Sequence, residues 1–539
     1  MKQSLQHLFS QIPRADIQRS VFDRHHTVKS AFDTGYLVPI FVDEALPGDT
    51  FSLNLSVFGR LSTMAVPIMD NLYMETFFFA VPVRLVWDNF QKFMGERKNP
   101  DDSIDYVLPT LSPESTADVG SLSDYFGLPI NVKLRNVTSL WHRAYNLIYN
   151  EWFRDENLID SAIVDRGDGP DLLLAYPLRK RRKAKDYFTG CLPWPQKGPG
   201  MSIPIGSTAP VWGDGYPLAI QPGYLDTYGG ASQSLLRNHQ VATINDPSVP
   251  TDAAFVTYGT SGYGVRAAGD VPSGLYADLS NATAVTINQL REAFQIQRLL
   301  EADARGGTRY TEILRSHFSV VSPDARLQRP EYLGGSSCRI AVHPVAQQSS
   351  TDSITPQGNL AAYATMGDVQ HIFTKSFTEH TLLLGIVNVR ADLTYQQGTP
   401  RMFSRRTRYD FYWPTLAHLG EQAVLNKEIY TADDGTDAKI AQDNAVFGYQ
   451  ERWAEYRDKP SMITGKMRST ASTSLDVWHL AQKFTELPVL NQSFVEEDVP
   501  LSRVLAVTNE PQIIFDADFD LRCARPMPVY SVPGLIDHF

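Results

Sequence analysis

The 539-residue chain has only three cysteines, Cys191, Cys338 and Cys523. Odd in number and far apart, they form neither a disulfide framework nor a Cys-x-x-Cys metal site, and a reducing cytosol suits them. Long hydrophobic runs are also missing. The longest strongly apolar one, FFFAVPV at 77–83, is far too short to span a bilayer, so no membrane insertion is expected. The first fourteen residues lack the apolar centre of a signal peptide, which predicts a protein made and kept in the cytoplasm unless it leaves by another route. The sequons at Asn54, Asn136, Asn281 and Asn491 then carry no glycan. Positive charge is in deficit, with 49 Lys and Arg against 60 Asp and Glu. A net charge of -11 argues against a free-standing nucleic-acid binder, whose affinity comes from neutralising phosphate.

Catalytic signatures are absent as well. There is no H-E-x-x-H, no G-x-S-x-G and no G-x-x-x-x-G-K-[ST]. GTSGYG at 259–264 is not G-x-G-x-x-G and does not link a clear strand to a helix. His25 and His26 are adjacent and so point apart in regular structure. Asp516, Asp518 and Asp520 share one strand face and are weak candidates for a divalent cation, but an EF-hand needs Gly where Leu521 stands. Pairing with Lys or Arg of a neighbouring strand or subunit is the better reading. Neither enzyme activity nor a cofactor is expected.

What is present is a folded chain rich in strand patterns. It exceeds the roughly 250–300 residues at which single cores stop growing, which leaves several domains or one domain with long insertions. Residues 1–30 carry five Lys or Arg against two Asp and read as a polar, mildly basic arm. In TFSLNLSV, Phe51, Leu53, Leu55 and Val57 alternate with polar residues, as in a strand with one buried face. YMETFFFAVPVRLVW is apolar on both faces and predicts a strand covered on both sides that bends or ends at Pro82. Further strands are predicted at HTLLLGIVNV, at SRVLAVTN and at QIIFDADFDLRC. Trp141, Tyr145, Ile148 and Trp152 make a helical stripe within 135–157. A second helix starts at the capping pair Thr286 and Gln289, buries Leu290, Phe294 and 296–300, and stops at Gly306-Gly307. The sum is an antiparallel sandwich with very long connections.

Two basic clusters interrupt the acidic background. LRKRRKAKDY holds Arg179, Lys180, Arg181, Arg182, Lys183 and Lys185; like charges packed this tightly call for DNA phosphate or carboxylates of an adjacent subunit as partners, the remaining reading being a solvated loop. Pro193, Trp194 and Pro195 follow and give the cluster a stiff base. RMFSRRTRYDFYWP interleaves Arg401, Arg405, Arg406 and Arg408 with five aromatics, a mixture that suits stacked bases and protein interfaces equally. Residues 201–280 stand apart, with two basic residues, eleven Gly, seven Pro and six Tyr. That composition fits a recognition loop or a solvated insertion.

Long stretches, among them LPGDTFSLNLSVFGRLSTMAVPIMDNLYMETFFFAVPVRLVW, DYFTGCLPWPQKGP, HFSVVSPDARLQRPEYLGG, FGYQERWAEYR and RPMPVYSVPGLIDH, resemble the major capsid proteins of the Microviridae, specifically the gokushovirus type. The resemblance runs from end to end except over about 201–285. It implies a mainly β fold, an eight-stranded antiparallel jelly roll with long inter-strand loops and a few helices. Residues 1–50 would be an N-terminal arm and the approach to the first strand, and 51–539 the capsid domain. Residues 201–285 would form a variable surface protrusion, with Tyr216, Tyr224, Tyr228, Tyr258, Tyr263 and Tyr276 on a host-attachment surface.

The implied function is a virion shell, assembled in the host cytoplasm from pentamers around a circular single-stranded DNA genome. Pilot and scaffolding proteins and a host cell-surface receptor would be further partners. About sixty copies would bring a charge of about -660, so a small basic DNA-binding protein is expected too. The competing readings are a β-sandwich enzyme acting on carbohydrate and a minor spike protein.

Overall fold

The computed structural model describes residues 18–200, 211–213, 219–222, 263–266, 275–277, 287–321, 328–351 and 356–530. Two compact units emerge, one of residues 1–197 and 301–539, the other of residues 198–300.

The first unit is built on two antiparallel sheets. One contains β1 (Ser20–Asp23), β2 (His26–Phe32), β4 (Thr50–Met64), β7 (Ala341–Ala346), β8 (Leu360–Ser376) and β10 (Ile513–Arg525). Its order is β10, β4, β8, β7, with β1 and β2 end to end along the free edge of β10. The other sheet runs β6 (Glu331–Arg339), β5 (Leu72–Pro82), β9 (Thr381–Ala391), β3 (Val38–Ala45). From β2 to β5 successive strands alternate between the sheets, β5 and β6 pair within one, and β8 to β10 alternate again. This is jelly-roll connectivity, with β1 and β7 as additional strands beside the eight expected.

Burial follows the alternation. Ile513, Phe515, Ala517, Phe519, Leu521 and Cys523 of β10 are buried, as are Phe51, Leu53, Leu55 and Val57 of β4. They meet Phe41 and Phe78 from the second sheet, with the Phe41 and Phe519 rings 5.3 Å apart. Gly385 of β9 makes this packing possible. A Cβ there would lie 2.5 Å from Phe78 Cε1 and 2.8 Å from Phe41 Cβ, inside any real contact.

β5 and β9 are apolar on both faces because the second sheet is covered twice. Phe79, Val81, Leu382, Leu384 and Ile386 face away from the sandwich and pack on Trp87 and on helix α1 (Leu140–Ile148), including Tyr145 and Ile148. Pro82 ends β5, and a 3-10 turn at Val83–Leu85 follows. A third cluster, with Tyr187, Phe188, Tyr395, Phe447 and Phe494, ties together the two longest connections, 83–330 and 392–512.

Several sequence expectations change. SRVLAVTN is not a strand: Leu501–Arg503 form a 3-10 turn, and only Leu505 bridges, to Met64. Val504 and Leu505 are apolar because they cover one end of the sandwich, a burial that periodicity cannot tell from a short strand. The first predicted helix is shorter, α1 followed by a π-turn at Tyr149–Phe153, and Asn136, at φ 59°, lies outside it. Residues 20–32, read as arm, are strands whose polar residues sit on an open face. The second helix, α2 (Ile287–Arg305), stops at Gly306 as expected, but Leu290, Phe294 and Leu299 are exposed instead of buried. Thr286 lies outside the described residues.

The second unit contains two antiparallel strand pairs, Val211–Gly213 with Leu275–Ala277 and Ala219–Pro222 with Tyr263–Arg266. Tyr263 and Tyr276 fall on these strands; Tyr216, Tyr224, Tyr228 and Tyr258 lie outside the described residues.

Candidate functional site

The basic stretch at 179–183 is an extended strap held by its backbone against two segments in succession. Leu37 N–H donates to Arg179 C=O and Arg181 N–H to Gly35 C=O, each at 2.9 Å. Farther along, Glu497 N–H donates to Arg181 C=O and Lys183 N–H to Val495 C=O, each at 2.7 Å. Such extended pairing fixes alternate side chains to opposite faces.

The side chains find partners largely within the chain. Arg181 pairs with Glu75 of β5, which also accepts from Arg390 Nε of β9 at 3.0 Å. Burial pushes the Glu75 carboxyl up, but Arg181 and Arg390 outweigh it and hold it below its ordinary value. Lys183 is buried and donates to Phe494 C=O at 2.7 Å; burial pushes its ammonium down, against the pull of Glu497. Glu497 is buried as well, and its carboxyl is pushed up to about 7 by burial despite Lys183, Arg181 and Arg390. Lys180 reaches Asp498 at 3.3 Å and lies over the Tyr36 ring, and Arg179 lies over Tyr149. The cluster is thus partly structural, with intrachain carboxylates in a role expected of DNA or a subunit. Arg182 and Lys185 make no ion pair among the described residues, and Lys185 is exposed.

The second cluster divides in the same way. Arg401 donates to Glu428 Oε1 at 3.0 Å and to Ala423 C=O, while Arg405 stacks 4.3 Å from the centre of the Tyr456 ring and reaches Glu455. Burial raises the Glu428 carboxyl even with Arg401 beside it. Arg406 and Arg408 are exposed, together with Phe403, Tyr409, Phe411, Tyr412 and Trp413. A patch of this kind exceeds what scattered surface aromatics explain and suits a protein contact.

The three aspartates of β10 do not converge. Asp516 pairs with Lys29 at 2.9 Å, Asp518 with His25 at 2.6 Å, and Asp520 accepts from Asn54 at 3.0 Å. Each is taken by a neighbouring strand or its connection. Among the described residues no three His, Cys, Asp or Glu side chains are grouped to hold a metal ion.

Sequence reasoning missed Glu75, Glu497 and Asp498, which neutralise the strap, and Arg390, which shares Glu75 with it. A carboxylate inside the apolar YMETFFFAV was the available signal, since a buried charge requires a partner.

The chain matches the family described as "Capsid protein (F protein)" over residues 10–535. It is 47% identical to the capsid protein VP1 of Bdellovibrio phage phiMH2K, over 99% of this chain and 98% of the relative. It is 45% identical to capsid protein VP1 of Chlamydia phage 1 (98% and 97% covered) and 38% identical to that of Spiroplasma virus 4 (98% and 97%). End-to-end matches of this kind, on a chain with jelly-roll connectivity, place it in the F-protein family of phage capsid proteins, as a major capsid protein of the gokushovirus type within the Microviridae.

Proposed function

We propose that this capsid protein, a virion component that self-assembles into a shell, does so through pentamers with icosahedral symmetry around a circular single-stranded DNA genome. It has no catalytic role of its own. The observation that carries the reading is full-length similarity to capsid relatives on a jelly roll whose excess length lies in two connections, 83–330 and 392–512. Connections of that size cover neighbours in a shell, and the exposed aromatic-arginine patch at 403–413 supplies contact area for it. Assembly proceeds in the host cytoplasm with scaffolding and pilot proteins. A small basic protein offsets the shell's negative charge beside the genome.

The 201–285 insertion serves host attachment, supported by its Tyr- and Gly-rich, charge-poor composition. Sedimentation of the expressed chain tests the assembly reading: pentamers and shells support it, and a stable monomer under assembly conditions, as a carbohydrate-active enzyme would give, overturns it. Replacing 201–280 by a Gly-Ser linker tests attachment. Intact particles that no longer adsorb to host cells support the role, and wild-type adsorption refutes it.

A further inference from the structure

A cavity of about 300 Å³ opens beside the basic strap, on the side of β5 that faces away from the sandwich. Its wall is aromatic: Phe77 and Phe79 from β5, Trp152 from the π-turn and Tyr332 from β6, with Trp152 and Tyr332 ring centres 5.9 Å apart. Its rim is cationic, with Arg182 and Lys185. Tyr332 is 43% exposed, so one ring remains open to a flat ligand.

The charge of the lining is unbalanced. No carboxylate lines the cavity, and Glu75, two residues before Phe77 on β5, is already shared between Arg181 and Arg390. Arg182 Nη1 is buried and donates to nothing among the described residues. A buried guanidinium N–H without an acceptor is costly, and an anion seated there would remove that cost. Aromatic walls beside uncompensated cations select a flat ring that carries an anionic group, and the volume lies at the small end of ligand-sized sites.

We infer that this cavity is a binding site for one nucleotide, with the base against Tyr332 and the phosphate on Arg182 and Lys185. The proposed DNA-enclosing function enters only as one source of that nucleotide; the other is a free nucleoside monophosphate.

Calorimetric titration of the full-length unassembled chain with thymidine 5′-monophosphate, thymidine and inorganic phosphate tests it. The monophosphate binds at least tenfold tighter than either fragment. Arg182→Gln with Lys185→Gln weakens it at least tenfold, and Tyr332→Leu weakens the monophosphate while leaving inorganic phosphate unchanged, which a folding defect would not do. Octathymidylate binding ten times tighter than the monophosphate identifies a DNA strand as the source, and similar affinities identify a free nucleotide. A monophosphate that binds no tighter than phosphate, or equally to the Arg182 and Lys185 variant, overturns the assignment. Sedimentation of the same variants reads assembly separately, so failure of the site leaves the shell reading intact.

Discussion

Glu75 sits between two guanidinium groups, accepting from Arg181 of the basic strap on one side and from Arg390 of the neighbouring strand on the other. This one carboxylate ties a 248-residue connection to the second sheet of the sandwich. Glu75→Gln leaves two half-buried cations facing each other and is expected to cost roughly 3 kcal/mol. Arg181→Gln leaves Glu75 its second partner and costs less. Urea unfolding of the unassembled variants checks the ranking.

Arg143 and Asp171 form a second pair, almost wholly buried, with Nε–Oδ2 at 2.7 Å and Nη2–Oδ1 at 2.6 Å, and Tyr176 donates to the same carboxylate. Burial raises the Asp171 carboxyl, but Arg143 and Tyr176 bring it below its ordinary 3.8. Its contribution is therefore present above about pH 4 and lost as pH falls below. Asp171→Asn is expected to cost roughly 3–5 kcal/mol at pH 7 and to flatten acid unfolding below pH 4, read by circular dichroism.

Glu497 gives the opposite dependence. Its carboxyl rises from 4.5 to about 7 on folding, so the folded chain holds a proton that the unfolded chain releases. Stability from this group is greatest below pH 4.5 and is lost as pH climbs to 7. His142, pushed down to about 4 by burial, runs the other way, losing stability as pH falls through 6.5. Wild type alone therefore shows little slope. The difference between Glu497→Gln and wild type isolates the carboxylate and should shift by roughly 3 kcal/mol in favour of the variant between pH 4.5 and 7.5.

Gly385 tests the sandwich itself. Gly385→Ala forces Phe78 and Phe41 apart and is expected to destabilise by about 1–3 kcal/mol, whereas Gly358→Ala, where no atom lies within 4 Å, feels only its positive φ. Thermal unfolding of both variants separates overpacking from backbone strain.

The sandwich was legible where one face alone is buried. QIIFDADFDLRC and TFSLNLSV show period two because their outer faces meet solvent, and β5 reads as doubly covered because α1 and Trp87 lie on its far side. Residues 20–32 misled because edge strands bury little and keep arm-like polarity. SRVLAVTN misled because two adjacent buried side chains can cap a sandwich without a ladder. The cavity at the strap was not legible at all. Trp152 belongs to a stripe that reads as core, Tyr332 lies 180 residues away, and only the fold brings them together. The charge run was visible, but not its intrachain carboxylates, since pairing across 106 residues leaves no local pattern.

The central claim is that this chain is the wall of the particle. Cryo-electron microscopy of particles produced with the phage's other structural proteins tests it most directly. The expected map shows an icosahedral shell in which this jelly roll occupies every wall position. A wall built from another protein, with this chain at a minority of sites or free in solution, would contradict the account.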